Sequence, residues 1–389
     1  MYTTLLPRAI ALITAVAIVV WSVFISGCQQ EPPASPATAN EPEVLAVPTE
    51  VQEQLALFER IAAEPNRGVS HWIDSDPTLD GSVIELPAGS VDGLTAALAA
   101  AGNNGVVIVR AGMHNESEMV TVSQKVRIIG EAGAILVFNT VPDPNAVVIS
   151  PALRVLANHV TIWGLEIRPQ GSEGNTAVLL KDARHALVAN NTFRDQQIGV
   201  FVDGADHSMI WGNTAICAAS TALPMGIVNC NGRHVTIANN DVTNALFGIW
   251  ACDEKGFLLS NNAHGNFIGI ILCKVPAGAY TLPGGESVGS DRPGGRWLAT
   301  GNQATGKGWG YLIIDSANRN LLVNNAASGS GVYDFEFTAD TFRFGFLTPA
   351  SFDNKFVAGA YNNVVVKNCG NNNTIIGGQL VDNTVDPCF

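Results

Sequence analysis

The sequence repeats a short motif in which an apolar triplet ends on one or two asparagines, and that repeat leaves few folds open. HALVANN ends at Asn191, HSMIWGN at Asn213, HVTIANN at Asn240, GFLLSNN at Asn262, WLATGN at Asn302 and NLLVNN at Asn325. The steps between these asparagines are 22, 27, 22, 40 and 23 residues. A second column, of glycines, opens the next apolar strand each time: Gly199, Gly226, Gly248, Gly269 and Gly310. Two columns that share one step specify a solenoid, because self-similarity at a fixed period is the mark of stacked repeats. A step near 22 residues is one coil of a parallel β-helix, with three short strands and three corners.

The columns have a physical reason. Stacked coils place corner asparagines one above another at about 4.8 Å, where their amides can form a continuous hydrogen-bond ladder. Alternate residues such as Ile249 and Ala251, or Ile270 and Leu272, then fill the interior. Thirty-nine glycines, 47% hydrophobic residues and only 14% charged residues suit many short buried strands joined by tight turns. The expected fold is all-β: a right-handed, single-stranded parallel β-helix over residues 102–389 with an N-terminal capping helix.

The N-terminal quarter reads differently. Residues 1–28 carry one charge, Arg8, then an apolar run and Ile25-Ser26-Gly27-Cys28. A short charged region, an apolar core and small residues before cleavage are the elements of an export signal. The last four residues resemble the bacterial lipobox, which implies that Cys28 is lipidated. Gln29 in place of aspartate implies the outer membrane. Residues 29–48 hold five prolines among alanines and glutamates, a semi-extended tether. Residues 49–101 should be helical. Thr49 and Gln52 form a capping-box pattern, followed by Val51, Leu55, Phe58 and Ile61 at helical spacing. A second helix over residues 90–101, with Val91, Leu94 and Leu98 on one face, would cover the open end of the solenoid.

With these columns in place, residues 82–385 resemble the pectin-lyase-like superfamily of right-handed β-helices. The stretch AGMHNESEMVTVSQKVRIIGE, residues 111–131, is similar to that superfamily's first coil. The resemblance implies the fold but no activity. Arg292-Pro293-Gly294-Gly295-Arg296 resembles the pectate lyase Arg-x-Pro motif without its spacer residue. Residues 331–337 resemble the Asp-Phe-x-Phe element of pectinesterases, whose later Arg-Pro-Trp element is missing. The paired aspartates and Gly-His-Gly of polygalacturonases are absent.

Spacing suggests a site of its own. If Tyr333, Phe335 and Phe337 point inward, Asp334 and Glu336 point outward, about 7 Å apart. Asp315 lies 21 residues before Glu336 and is expected beside it one coil away. Three carboxylates at that density would suit Ca²⁺ or a general acid/base pair acting on a sugar; plain solvated acids are the alternative. Two insertions, residues 274–295 and 338–352, frame the cluster; the first brings Glu286, Asp291 and Arg292, with Arg296 directly after it as a further binding candidate, and the second brings Arg343. An apolar stripe of Phe201, Val228, Trp250, Ile271 and Ile313 is expected on the same outer face, stacking on sugar rings or covered by a loop.

His159, His185, His207 and His234 fall in one column, a possible transition-metal ladder, with Gly256 and Asn320 expected at that corner in later coils. Beyond Cys28, six cysteines remain. Cys230, Cys252 and Cys273 share a column at bonding distance, reduced or with one bridge; Cys369 and Cys388 could pin the C-terminal end, and Cys217 stands apart. A net charge of −13 excludes nucleic acid as a partner. The sequence therefore describes an exported, lipid-anchored monomer that recognises polysaccharide, with activity left open among lyase, hydrolase and epimerase. The alternatives are a non-catalytic binding or adhesion scaffold, and a periplasmic accessory protein for copper delivery.

Overall fold

The computed structural model describes residues 47–62, 81–139, 151–218, 224–274, 280–281, 287–288, 294–339, 341–343, 346–348 and 350–381. Over them the chain is a right-handed parallel β-helix of about eleven turns. One strand per coil builds a twelve-stranded sheet running from Val83–Leu86 to Thr374–Ile376. Seventeen further strands form a second sheet that wraps the other two sides. Leu187–Ala189, for example, belongs to the first sheet, and Thr192–Asp203 supplies both sides of the second, bending where the register shifts between Arg194 and Gln196. Among the described residues, antiparallel pairing is confined to two small hairpins. Tyr280–Thr281 pairs with Ser287–Val288, and Thr341–Arg343 with Phe346–Thr348, each inside one of the two expected insertions.

The asparagine column is a continuous ladder. The Asn191 side-chain amide donates to Asn213 Oδ1 at 3.0 Å, and the relay runs on through Asn240, Asn261, Asn302 and Asn325 at 2.8–3.0 Å. Each amide also donates to a backbone carbonyl, Asn240 to Ile210 O and Asn261 to Ile237 O. These side chains are buried, so the ladder satisfies polar groups that water cannot reach. The rung in GFLLSNN is Asn261, not Asn262. Asn262 pairs in register with Asp241 and donates to its carboxylate at 2.9 Å on the exposed side. A second ladder, Asn320 to Asn354 to Asn373, runs through the C-terminal coils at 2.9 Å per step.

The glycine column marks the closest approach between coils. A Cβ built on Gly199, Gly226, Gly248 or Gly269 would stand 2.5–2.7 Å from the carbonyl oxygen of the next glycine in the column. Any larger residue there would force neighbouring coils apart. Inside the coils one apolar core runs the length of the solenoid and includes Ile249, Ala251, Ile270 and Leu272 as the alternation requires.

Two helices dress this body. Helix α1, Thr49–Ala62, forms where the spacing of Val51, Leu55 and Phe58 places it. Gln52 donates to the Val47 carbonyl at 2.8 Å, an arrangement other than the reciprocal capping box. The helix lies on the outer face of the first sheet, where Phe58 packs against Trp163 and Trp211 at 6.0 and 5.5 Å between centroids. Helix α2, Leu94–Ala101, is shorter than expected. It starts at Leu94, whose N–H donates to Glu116 Oε1 at 2.9 Å, while Val91 is exposed and bridges to Asn115. Leu94, Ala97, Leu98 and Ala101 enter the main core and close its N-terminal end.

The two neighbouring asparagines separate ladder from surface. Asn261→Ala strands partners above and below and should cost about 2–4 kcal/mol, whereas Asn262→Ala should stay within about 0.5 kcal/mol. The urea midpoints of the two variants measure this, and equal shifts would contradict the ladder assignment.

Candidate functional site

The outer face of the third strand in each coil carries the residues that spacing singled out. Strand register defines one outward column there: Leu179, Phe201, Val228, Trp250, Ile271, Leu312, Glu336 and Lys367. The apolar stripe exists, with Leu312 in the place expected for Ile313, which points into the main core instead. It is covered rather than open. Phe201, Val228, Ile271 and Leu312 form a second buried cluster with Met225, Ile268 and three cysteines, and Trp250 is half-buried against it.

The acidic cluster does not assemble. Register places Leu312, not Asp315, beside Glu336. Asp315 lies beyond the strand end, in a turn residue with φ of 56°. Burial pushes its carboxyl up to about 6, against the pull of Lys274. Asp334 and Glu336 do alternate with the core residues Phe335 and Phe337, yet both are buried rather than solvated. Asp334 Oδ2 accepts the Val365 N–H at 2.9 Å, and Glu336 Oε2 accepts the Trp309 indole N–H. Among the described residues no three histidine, cysteine or acidic side chains converge on a metal position. The carboxylates thus act as hydrogen-bond partners inside the fold, and the expected Ca²⁺ cage is absent from them.

The cationic candidates scatter. Arg296 sits at a corner and binds Glu254 at 3.2 Å, a carboxylate that Arg233 also approaches at 3.6 Å. Arg343 pairs across the small hairpin with Phe346. Arg292 and Cys28 lie outside the described residues. Around Trp250 and Glu336 the structure adds aromatics that spacing missed. Phe247 meets Trp250 edge-on at 5.1 Å, and Phe267, 39% exposed, meets Trp309 edge-on at 5.8 Å. Lys367 Nζ stands 5.8 Å from the ring centre of Tyr333.

The histidine column is the candidate that the structure builds most completely. His159, His185, His207 and His234 each stand two residues before the strand they precede in the first sheet, and each is exposed. Their rings stack in sequence at 4.9, 5.2 and 4.7 Å between centroids, tilted by only 3°, 15° and 8°. All four adopt positive φ, between 53° and 58°. The same register position holds Lys255, Arg296 and Arg319 in the following coils, also at positive φ. Gly256 and Asn320, expected in this column, stand one residue later. Partial burial holds His185 and His234 below the usual histidine range, helped by neighbouring rings and by Arg184 at the first and Lys255 and Arg233 at the second. Asp206 pulls the other way on both.

The cysteine column exists as spacing placed it, and Cys252 and Cys273 are bonded across one coil. Cys230 and Cys217 are buried thiols. Cys369 is also disulfide-bonded; its expected partner Cys388 lies outside the described residues.

Comparison with known proteins adds one family. A family described as "Periplasmic copper-binding protein (NosD)" matches residues 102–275. No curated protein matches. Among solved structures, the chain resembles the Dettilon tailspike protein (gp208) at 13% identity and TM-score 0.46, covering 78% of this chain and 63% of that one. The Azotobacter vinelandii mannuronan C-5 epimerase AlgE4 A-module is similar at 11% identity and TM-score 0.45, covering 78% and 96%. PfbA, a surface adhesin of Streptococcus pneumoniae, is similar at 12% identity and TM-score 0.47, covering 72% and 74%.

Asp315 gives a pH test. Its folded carboxyl titrates near 6 and its unfolded one near 3.8, so the folded state holds the proton longer. Stability should therefore fall as pH rises from 4 to 6.5, by roughly 1–2 kcal/mol. Asp315→Asn, which keeps a side chain tolerant of the left-handed backbone, should remove that slope. Urea midpoints across this range read it out, and an unchanged slope in the variant would refute the assignment.

Proposed function

We propose that this chain is an exported copper-binding β-helix protein and that the histidine ladder is its metal-holding surface. The observation that carries the reading is the stack of four exposed imidazoles on successive coils, all inside the segment that matches the copper-binding family. Imidazole suits copper among the first-row metals. Near-parallel stacking covers the ring faces and leaves the edges, where the nitrogens lie, toward solvent. His185 and His234 are held neutral at neutral pH, the state that coordinates. With no third donor converging among the described residues, neighbouring imidazoles would hold the ion in pairs once their rings turn out of the parallel stack to aim a nitrogen each at it. Such an open surface suits an ion carried and passed on better than a closed structural centre. Lipidation of Cys28 and the tether of residues 29–48 would keep a monomeric body beside the outer membrane.

Copper titration of the full chain tests the reading. His185→Asn combined with His207→Asn breaks every neighbouring pair, and asparagine tolerates the same backbone. Copper binding should weaken by at least about tenfold, or about 1.4 kcal/mol. In the wild type it should weaken as pH falls and protons compete with the metal for the imidazoles. Unaltered binding in the double variant would sink the proposal.

A second reading, polysaccharide binding, is favoured by the row of Phe247, Trp250, Phe267, Trp309 and Tyr333, each half-buried or exposed along one side. Such rings offer flat apolar faces with polar edges to a sugar, and Arg292 and Arg343 from the two insertions would add cationic groups. With Asp334 and Glu336 covered, this reading is of binding on a scaffold. On a glycan panel, Phe267→Ala should weaken the best ligand about fivefold, or about 1 kcal/mol. A panel without any bound glycan would remove the reading.

A further inference from the structure

Three cysteines on consecutive coils, one free and two bonded, carry an inference separate from the copper surface. Cys252 and Cys273 pair directly in register and are joined, with Cα atoms 4.6 Å apart. One coil earlier, Val228 and Asn229 pair with Trp250 and Ala251, so the next residue, Cys230, takes the same position beside Cys252. Cys230 is a free thiol and fully buried. Cys252 therefore has a sulfur neighbour on each side, one coil away in either direction. That spacing lies within the range disulfides require.

The two ends of the column differ electrically. At Cys230, burial and the carboxylates of Asp203 and Asp253 raise the thiol well above its ordinary range. At Cys273 the Trp250 indole N–H donates to the sulfur, and Lys274 follows in the chain. A negative charge on sulfur is thus better supported at Cys273 than at Cys230. A disulfide breaks toward the sulfur that leaves more readily as thiolate.

We infer that Cys230, Cys252 and Cys273 form an internal thiol–disulfide exchange site. Cys230 loses its proton and its sulfur attacks Sγ of Cys252. The bond between Cys252 and Cys273 breaks, its electron pair leaves with the Cys273 sulfur, and that sulfur takes up a proton. One disulfide and one thiol are present before and after, so no oxidant or reductant is consumed. The bridge moves one coil toward the N-terminus, and the free thiol moves two coils to the end of the strand that precedes the 274–295 insertion. Cys273 is 4% exposed where Cys230 is wholly buried, so this end of the column is the one nearer to a second thiol or an alkylating reagent, the class of substrate such a site takes. The Cys230 end is closed to both.

The test uses the full chain, non-reduced, with iodoacetamide present from the start and peptide mapping after an acid quench. At pH 9 the alkyl group should appear on Cys273 with a bridge between Cys230 and Cys252. The rate should climb about tenfold per pH unit below the pKa of the attacking thiol. Cys230→Ser should give no adduct on Cys273 at any pH, and Cys217→Ala should behave as wild type. Alkylation of Cys230 with the Cys252–Cys273 bridge intact would overturn the inference. A folded Cys273→Ser variant, verified by circular dichroism, should form the Cys230–Cys252 bridge under mild oxidation. Two persisting thiols there would overturn it equally.

Discussion

Backbone hydrogen bonds between successive coils hold this solenoid at one fixed repeat, and every functional feature inherits that repeat. The glycine column shows how tight the constraint is, since a single added carbon would meet the carbonyl of the next coil. Once backbones are that close, side chains at one register position must stack on their own kind or on something of equal shape. Asparagines become a ladder inside, histidines a ladder at a corner and cysteines a ladder on the outer face. The three share one geometry and differ in chemistry and exposure, the imidazoles facing solvent and the amides and sulfurs buried. The buried amides satisfy one another, the exposed imidazoles are left to meet a ligand, and the thiols react within their own column.

The histidine corner also has a local cause. Nine residues at this register position, from His159 to Asn372, adopt φ between 52° and 61°. Asparagine, aspartate and histidine tolerate the left-handed region better than most side chains. Helix-like polar corners of this kind therefore admit histidine on conformational grounds, and stacking then places like charges a few ångströms apart. Burial first, and repulsion from the neighbouring rings second, hold His185 below the usual histidine range.

Much of this was legible before any coordinates. The fold, the glycine column, the core alternation, helix α1 and the order of the histidines follow from periodicity, because a period summed over many coils tolerates local errors. Single-residue assignments were less secure. The doublet Asn261-Asn262 offers two candidates for one rung, and only the pairing of Asp241 with Asn262 decides between them. Leu312 and Ile313 are equally apolar, so composition could not tell stripe from core. Asp315 was placed beside Glu336 by counting 21 residues, but that coil is longer: Leu312 and Glu336, which do pair, are 24 apart. A few extra residues at one corner moved a carboxylate off the strand and dissolved the expected cluster. The covering of the stripe has no periodic signal at all, since it depends on how distant segments fold back.

Helix α1 joins the body far from its own place in the sequence. The strand that follows it in order, Val83–Leu86, is the first of the stack, yet Phe58 packs over Trp163 and Trp211, whose stacked rings lie 6.0 Å apart on either side of the small Ala189 that pairs with both. Tension applied at the N-terminus of the body would therefore reach the flank of the solenoid first. It would load a helix lying against a sheet, where an aromatic must lift off two others, before it could peel α2 and the end coil away. Held by its N-terminal side, the chain would keep α2 seated over the end coil by the same contact that takes the strain.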